Sequence, residues 1–448
     1  MLAERTAPCT AGPLVWVGTP PASDDKAPMT TRSSSAASTP SSLPPSRPAQ
    51  SRRSLLRYSA TGIAAAGMMG TASAAPAPVV PAATAPTDRP LRPNEGIVRD
   101  ELSFRDDGTF VVVQFNDTQD GHRTDVRTVA LQEAVLDDVA PDFVVINGDV
   151  IDGSPTTAQE AKQAINNVVR PMEDRGIPWA LTFGNHDEDS SAATGLDETG
   201  YLEFVAQYRH NVNTPGARDT TGSGNQVLTV RSAASRADAF ALWLLDSGRY
   251  APEQIAGQDF EGYPDWDWLR PDQVQWYLHA SQRLESKNKQ LVPGLVFQHI
   301  ALWEHRFMWF ASVDARTGAD HARAAAKHSI VGERNEDECP GPFNSGMFAA
   351  MLQRGDVRGL FVGHDHINTY VGDYYGIQLG YGPGTGFGTY GLGGAEENRL
   401  RGARVFHLDE DVEGTFAGTE LRFASDYGID LGETGQPGEP ADFPDGVR

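Results

Sequence analysis

Only two cysteines occur in the 448 residues, Cys9 and Cys339, and Cys9 lies in a segment expected to be removed from the mature chain. A disulfide framework is therefore excluded, and stability must come from a packed core and from whatever binds the native state. Cys339, in the run ECPGPFNSG, has no redox or cysteine-protease pattern around it and reads as a loop or packing residue. Long apolar runs are also missing. None approaches the ~20 residues that a membrane-crossing helix needs, so no stable membrane span is expected. Positive charge is scarce, with 37 Lys and Arg against 60 Asp and Glu, a formal net charge of −23. Residues 1–74 carry seven basic and three acidic side chains, so losing them takes the charge to −27. A surface this acidic repels phosphate backbones and argues against a nucleic-acid grip built on a broad basic patch.

What is present divides the chain by composition. Residues 1–95 are rich in Ala, Pro, Ser and Thr, show little apolar periodicity and cannot build a core. Residues 1–50 read as a disordered or over-extended N-terminus. Residues 51–75 resemble a twin-arginine export signal, with Ser51-Arg52-Arg53-Ser54-Leu55-Leu56, a small-residue apolar run from Ala60 to Met69, and an A-x-A cleavage site at Ala72-Ser73-Ala74. That reading implies the twin-arginine export machinery as a partner and a secreted or cell-envelope location. Residues 76–95 then form a linker.

From residue 96 to 424 the texture is that of an α/β domain, short β-branched runs alternating with helical patterns. Phe110–Phe115, Phe143–Gly148, Trp179–Gly184, Leu295–Ile300 and Leu360–His364 read as buried strands. Helices are predicted over 124–139, 156–174 and 271–286, the last opening on Pro271. Residues 425–448, acidic and rich in Gly and Pro, are expected to fray. The Gly-rich run from Gly380 to Gly394 lacks the GK[ST] ending of a phosphate-cradling loop and reads as a surface loop near a site.

Five motifs carry the chemistry: Asn116-Asp117-Thr118-Gln119, Gly148-Asp149-Val150-Ile151-Asp152-Gly153, Gly184-Asn185-His186-Asp187, the lone His299, and Gly363-His364-Asp365-His366. Each follows a predicted strand, where ligands gather in open α/β sheets. Two cations held roughly 3.5–4 Å apart need a bridging carboxylate, hard oxygen donors and neutral imidazoles. Asp149 suits the bridge. Asp117, Gln119 and His366 would complete one metal, and Asn185, His299 and His364 the other. A water shared by both cations would ionise near neutral pH and attack phosphorus, with His186 supplying the leaving-group proton and Asp187 orienting its ring. His122 and Arg123 are candidates for holding substrate phosphate. His305 and Arg306 are weighed the same way, and the run Tyr263–Trp268 reads as packing more than as a substrate wall.

This pattern resembles the calcineurin-like metallophosphoesterase superfamily, and it does so over residues 108–408. LWLLDSG (Leu242–Gly248), FNSGMF (Phe343–Phe348) and GIQLGYG (Gly376–Gly382) are similar to its purple-acid-phosphatase-like branch, which holds small plant members and a yeast cell-cycle phosphatase. The resemblance implies a four-layer αββα sandwich, two metal ions (manganese, iron or zinc), and acid-phosphatase-like hydrolysis of small phosphomonoesters. Phosphodiesterase or nucleotidase action at the same site, or a non-catalytic exported metal-binding module, are the alternatives. Two departures stand out. Gln119 occupies a position where the superfamily usually has His, and Asp152 stands where purple enzymes place the iron-binding Tyr, so the purple colour is not expected.

Overall fold

The computed structural model describes residues 101–448, apart from residues 236, 260, 261 and 315. The segments read above as a disordered N-terminus, an export signal with its cleavage site, and a linker lie outside the described residues.

Along the chain run β1 (Thr109–Phe115), α1 (Val126–Val139), β2 (Phe143–Asn147), α2 (Ala158–Arg175), β3 (Trp179–Thr182), α3 (Ser191–Thr194), α4 (Glu198–Val205), β4 (Gln226–Arg231) and β5 (Asp238–Leu244). A two-residue pair, β6 (Gln254–Ile255) and β7 (Gln258–Asp259), precedes α5 (Pro271–Asn288) and β8 (Gly294–Phe297). Then come α6 (Trp303–Phe310), α7 (Gly318–His328), α8 (Met347–Arg354), β9 (Val357–Val362), β10 (Val371–Tyr374), β11 (Ile377–Tyr381), β12 (Gly402–Asp409) and β13 (Phe416–Phe423). All five predicted strands and all three predicted helices are present. Helix starts follow local chemistry: Asp125 caps α1 by accepting from Arg127 N, Thr157 caps α2 by accepting from Glu160 N, and Pro271 occupies the first turn of α5.

The strands form a five-stranded sheet, β13-β12-β1-β2-β3, and a six-stranded sheet, β10-β11-β9-β8-β5-β4. Strands β1, β2 and β3 are mutually parallel, as are β5, β8, β9 and β11, so both sheets present strand carboxyl ends. Alternation along the strands sorts the core into layers. Phe110, Val112, Phe143 and Val145 meet Leu242, Leu295, Phe297 and Phe361 between the sheets. Val113, Phe115 and Ile146 face Leu131, Val135, Val168 and Met172 of α1 and α2, while Trp243, Val296 and Leu360 face Tyr277, Met308 and Met351 of α5, α6 and α8. The result is the expected αββα sandwich.

One expectation fails. Residues 425–448 do not fray but lie along α1 and α2, with Ile429, Leu431 and Phe443 packed on that core and Val447 buried. Asn166 donates to Ala441 O at 2.9 Å and Arg127 to Gly432 O at 2.6 Å. A few apolar side chains and backbone carbonyls, anchored by polar groups of the helices, outweigh the flexible composition. Cys339, expected as a loop or packing residue, is buried, and its amide donates to Asp365 Oδ2 at 3.4 Å.

Candidate metal centre

At the strand carboxyl ends the two sheets are stitched by buried polar contacts. Asn147, the last residue of β2, donates to Gln298 O at 2.9 Å and to Phe361 O at 3.1 Å, Gln114 donates to Val362 O at 3.1 Å, and Gly363 N to His299 O at 3.1 Å. The five motifs are thereby brought to one place. Donor atoms of Asp149, His299 and His364 lie within 4.8 Å of one another, and so do those of Asp117, Asp149 and His366. Asp149 belongs to both groups, as a bridging carboxylate must. A third group, Cys339, His364 and Asp365, is less apt, because Asp365 Oδ2 already accepts from the Tyr381 hydroxyl at 2.7 Å and from the Cys339 amide at 3.4 Å.

The backbone is bent to make this possible. Asp117, Gln119, Asp149 and His364 all have positive φ, at 50°, 22°, 48° and 70°. Such conformations are costly for residues with a Cβ and persist where surrounding structure over-determines them, which is common at functional sites. The glycines of the motifs answer a steric demand. A Cβ on Gly184 would stand 2.2 Å from Asp149 Oδ1, and one on Gly148, itself at φ +84°, would stand 2.4 Å from the His299 ring.

Burial sets the electrostatics. It drives the His366 imidazole down to about 3 and His364 well below its ordinary range, with other nearby cationic groups adding to the effect. Both rings are therefore neutral, with lone pairs available to a cation. Burial pushes Asp117 up to about 6, against the charge of His299. Burial also acts on Asp149 and His299, but here the pair wins. With His299 Nε2 at 3.1 Å from Asp149 Oδ2, the imidazole is raised to about 10 and the carboxyl held well below the usual range. A proton is thus held where a cation would take its place. His299 Nδ1 meets Asn147 O at 3.0 Å, which fixes the ring with Nε2 turned inward.

The donor set fits metal. Both amide atoms of Asn185, Asp149 Oδ2 and His364 Nε2 are buried without hydrogen-bond partners among the described residues. Orphaned polar atoms this close together are expensive unless a ligand satisfies them. Asp117, Asp149 and His366 would hold one cation, and Asp149, Asn185, His299 and His364 the other. Gln119 is less committed to this task, since its Oε1 accepts from Thr389 Oγ1 at 2.9 Å.

Other expected site residues fall elsewhere. Asp187 does not orient His186. Its two oxygens accept from Val150 N (2.7 Å), Gly184 N (2.7 Å), Asp149 N (3.1 Å) and Ile151 N (3.2 Å), clamping the turn that carries the bridging Asp149. His186 Nδ1 instead meets Asp189 Oδ2 at 2.6 Å. Arg123 turns to the C-terminal segment, donating to Glu439 at 3.0 Å and to Gly438 O, and the His122 carbonyl accepts from Asn167 Nδ2 at 3.0 Å. Neither is brought to the donor groups. Asp152 is spent on a turn, accepting from the Ser154 amide and hydroxyl. His305 is a buried packing residue whose ring lies edge-on to Tyr381, and Arg306 pairs with Glu338. Trp266, in the run read as packing, stands edge-on to the metal-facing ring of His364 with centroids 4.5 Å apart, and Tyr390 stacks on His366 at 4.1 Å. Asp189, Arg249, Tyr250 and Tyr390 were missed because no motif spacing marks them. Only the acidic run 187–189 hinted at the first.

Two mixed sheets whose parallel strands end around two donor groups that share one carboxylate define a class, the α/β sandwich with a candidate dinuclear metal centre. The calcineurin-like phosphoesterase family model matches residues 110–368, and the chain belongs to that family. Relatives include "Probable inactive purple acid phosphatase 14" of Arabidopsis thaliana, 30% identical over 68% of this chain and 78% of its own length. "Phosphatase DCR2" of Saccharomyces cerevisiae is 28% identical over 67% of this chain and 52% of its own. A solved structure of a dimetal phosphatase from Danio rerio aligns over 70% of this chain and 99% of that one, with 13% identity and a TM-score of 0.39.

Proposed function

We propose that the protein is an exported, dinuclear-metal phosphomonoesterase. The observation that carries the reading is Asp149, shared by two donor groups and surrounded by buried polar atoms without partners. When bound, a pair of cations supplies a water nucleophile active near neutral pH and neutralises charge at phosphorus. The chain does the rest. Asp187 and the His186 backbone N–H, at 2.7 Å from Asp149 Oδ1, fix the shared carboxylate. Trp266 and Tyr390 pack on ligand rings and keep water from their outer faces. His186 donates a proton to the leaving oxygen. In support, it is the one motif histidine that stays partly exposed. The twin-arginine-like signal supports export of an already folded protein.

A second reading, a metal-binding protein without turnover, draws on the word "inactive" in the plant relative's name and on Gln119 in the first motif. One experiment separates the two. Metal-free protein is reloaded with manganese, iron or zinc in turn and assayed on nitrophenyl phosphate and bis-nitrophenyl phosphate. Monoester turnover with at least one metal is expected. Absence of turnover with every metal refutes the enzymatic reading, and turnover of the diester alone refutes the substrate class.

A further inference from the structure

Resting on the phosphomonoesterase reading, we propose that Asp189 is the positioning residue that aims His186 at the leaving oxygen, and that Arg249 and Tyr250 hold Asp189 in place. Asp189 Oδ2 lies 2.6 Å from His186 Nδ1, while its Oδ1 accepts from Arg249 Nη2 at 2.7 Å. The Tyr250 hydroxyl reaches both oxygens at 3.3 Å. Arg249 is itself anchored, donating through Nε to Asn185 O at 3.0 Å and through Nη1 to Glu188 at 3.2 Å. The guanidinium thus ties the carboxylate that steers His186 to the backbone of the metal-facing Asn185. The Tyr250 ring stands edge-on to His186, with centroids 6.5 Å apart and planes at 84°, which closes the remaining direction of tilt. Asp187 and Asp152, the nearer candidates by motif, are occupied by backbone amides and by Ser154.

A carboxylate accepts only, so Nδ1 carries a proton and Nε2 is the nitrogen left for substrate. In the step, the bond from phosphorus to the leaving oxygen breaks with its electron pair on that oxygen. The Nε2 proton of His186 moves onto it, and the attacking water forms the new P–O bond. A proton from that water returns to the imidazole through solvent. Asp189 gains and loses nothing. It fixes the tautomer and the direction of Nε2.

Its contribution therefore grows with the basicity of the leaving group. Nitrophenolate departs with little help, whereas an alkoxide needs the proton. The test compares kcat and KM for nitrophenyl phosphate and for an alkyl phosphate such as glycerol phosphate in the metal-loaded wild type, Asp189→Asn, Asp189→Glu, His186→Ala and the Asp189→Asn/His186→Ala double variant. Asp189→Asn is expected to lower kcat for the alkyl ester about 10- to 100-fold more than for the aryl ester, with KM little changed, a part of the ~10²–10⁴-fold that a general acid contributes. Asp189→Glu should recover part of the loss. The double variant should be no worse than His186→Ala, because both act through one proton transfer. Equal losses on the two esters, or additive losses in the double variant, overturn the assignment of Asp189 alone. A wild type inactive on both esters overturns the phosphomonoesterase reading and this inference with it.

Discussion

Asp149 meets three demands at once. Its carboxylate joins two donor groups, its backbone adopts φ 48°, and Gly184 passes so close that only hydrogen fits on that Cα. A Gly184→Ala variant should therefore displace the carboxylate, with a loss of stability of about 1–3 kcal/mol from overpacking and a weakened metal titration. Denaturant midpoints with and without metal measure both, and a variant with unchanged metal affinity would contradict the account. His305 offers a separate check away from the metals. Burial holds its imidazole down at about 4, so it is neutral in the fold, while in the unfolded chain it protonates near its ordinary value of 6.5. Its contribution to stability is present above pH 6.5 and is lost as pH falls through about 4. Across that window wild type should lose about 3 kcal/mol more than His305→Gln. Parallel pH–stability curves for the two proteins would contradict this. The residues of the two candidate donor groups were legible in the sequence because metal chemistry restricts residue types. The partner of His186 was not, since in the turn 186–189 the choice between Asp187 and Asp189 depends on backbone direction, which composition does not encode.

Among the elements, the C-terminal segment changes the picture most. Its Gly and Pro content pointed to fraying, yet Asn166 and Arg127 capture its carbonyls, and Leu431, Phe443 and Val447 cover α1 and α2. Deleting residues 429–448 should cost on the order of 3–5 kcal/mol, from two or three buried side chains. An unchanged denaturant midpoint would show that the segment is dispensable. The buried strands were easy to read, because runs such as FVVVQF and LFVG carry apolar residues on both faces. The outer strands β10, β12 and β13 were not among the readings. They pair antiparallel at or beside sheet edges, and β13 is only partly buried, so its apolar signal is diluted. The Gly-rich run 380–394 lies near the site as read, though buried as far as Phe387 and not a surface loop there, with Gly386 N donating to Asp117 O and Thr389 touching both Gln119 and His366.

For the molecule as a whole, two sheets, each with its own helical layer, share one inner core and meet at a polar seam where the motifs converge. Neutral His364 and His366 rings, the close pair of Asp149 and His299, and an Asn185 side-chain amide without a partner among the described residues describe a site arranged for cations. Loading metal should release protons and stabilise the fold by mass action. The central claim, two cations sharing one carboxylate and serving phosphate hydrolysis, is tested most directly by elemental analysis and monoester turnover on the same reloaded samples of wild type and Asp149→Asn. The account predicts two metal equivalents with turnover in wild type, and loss of at least one equivalent together with turnover in the variant. Two tightly held equivalents and full turnover in Asp149→Asn would contradict it.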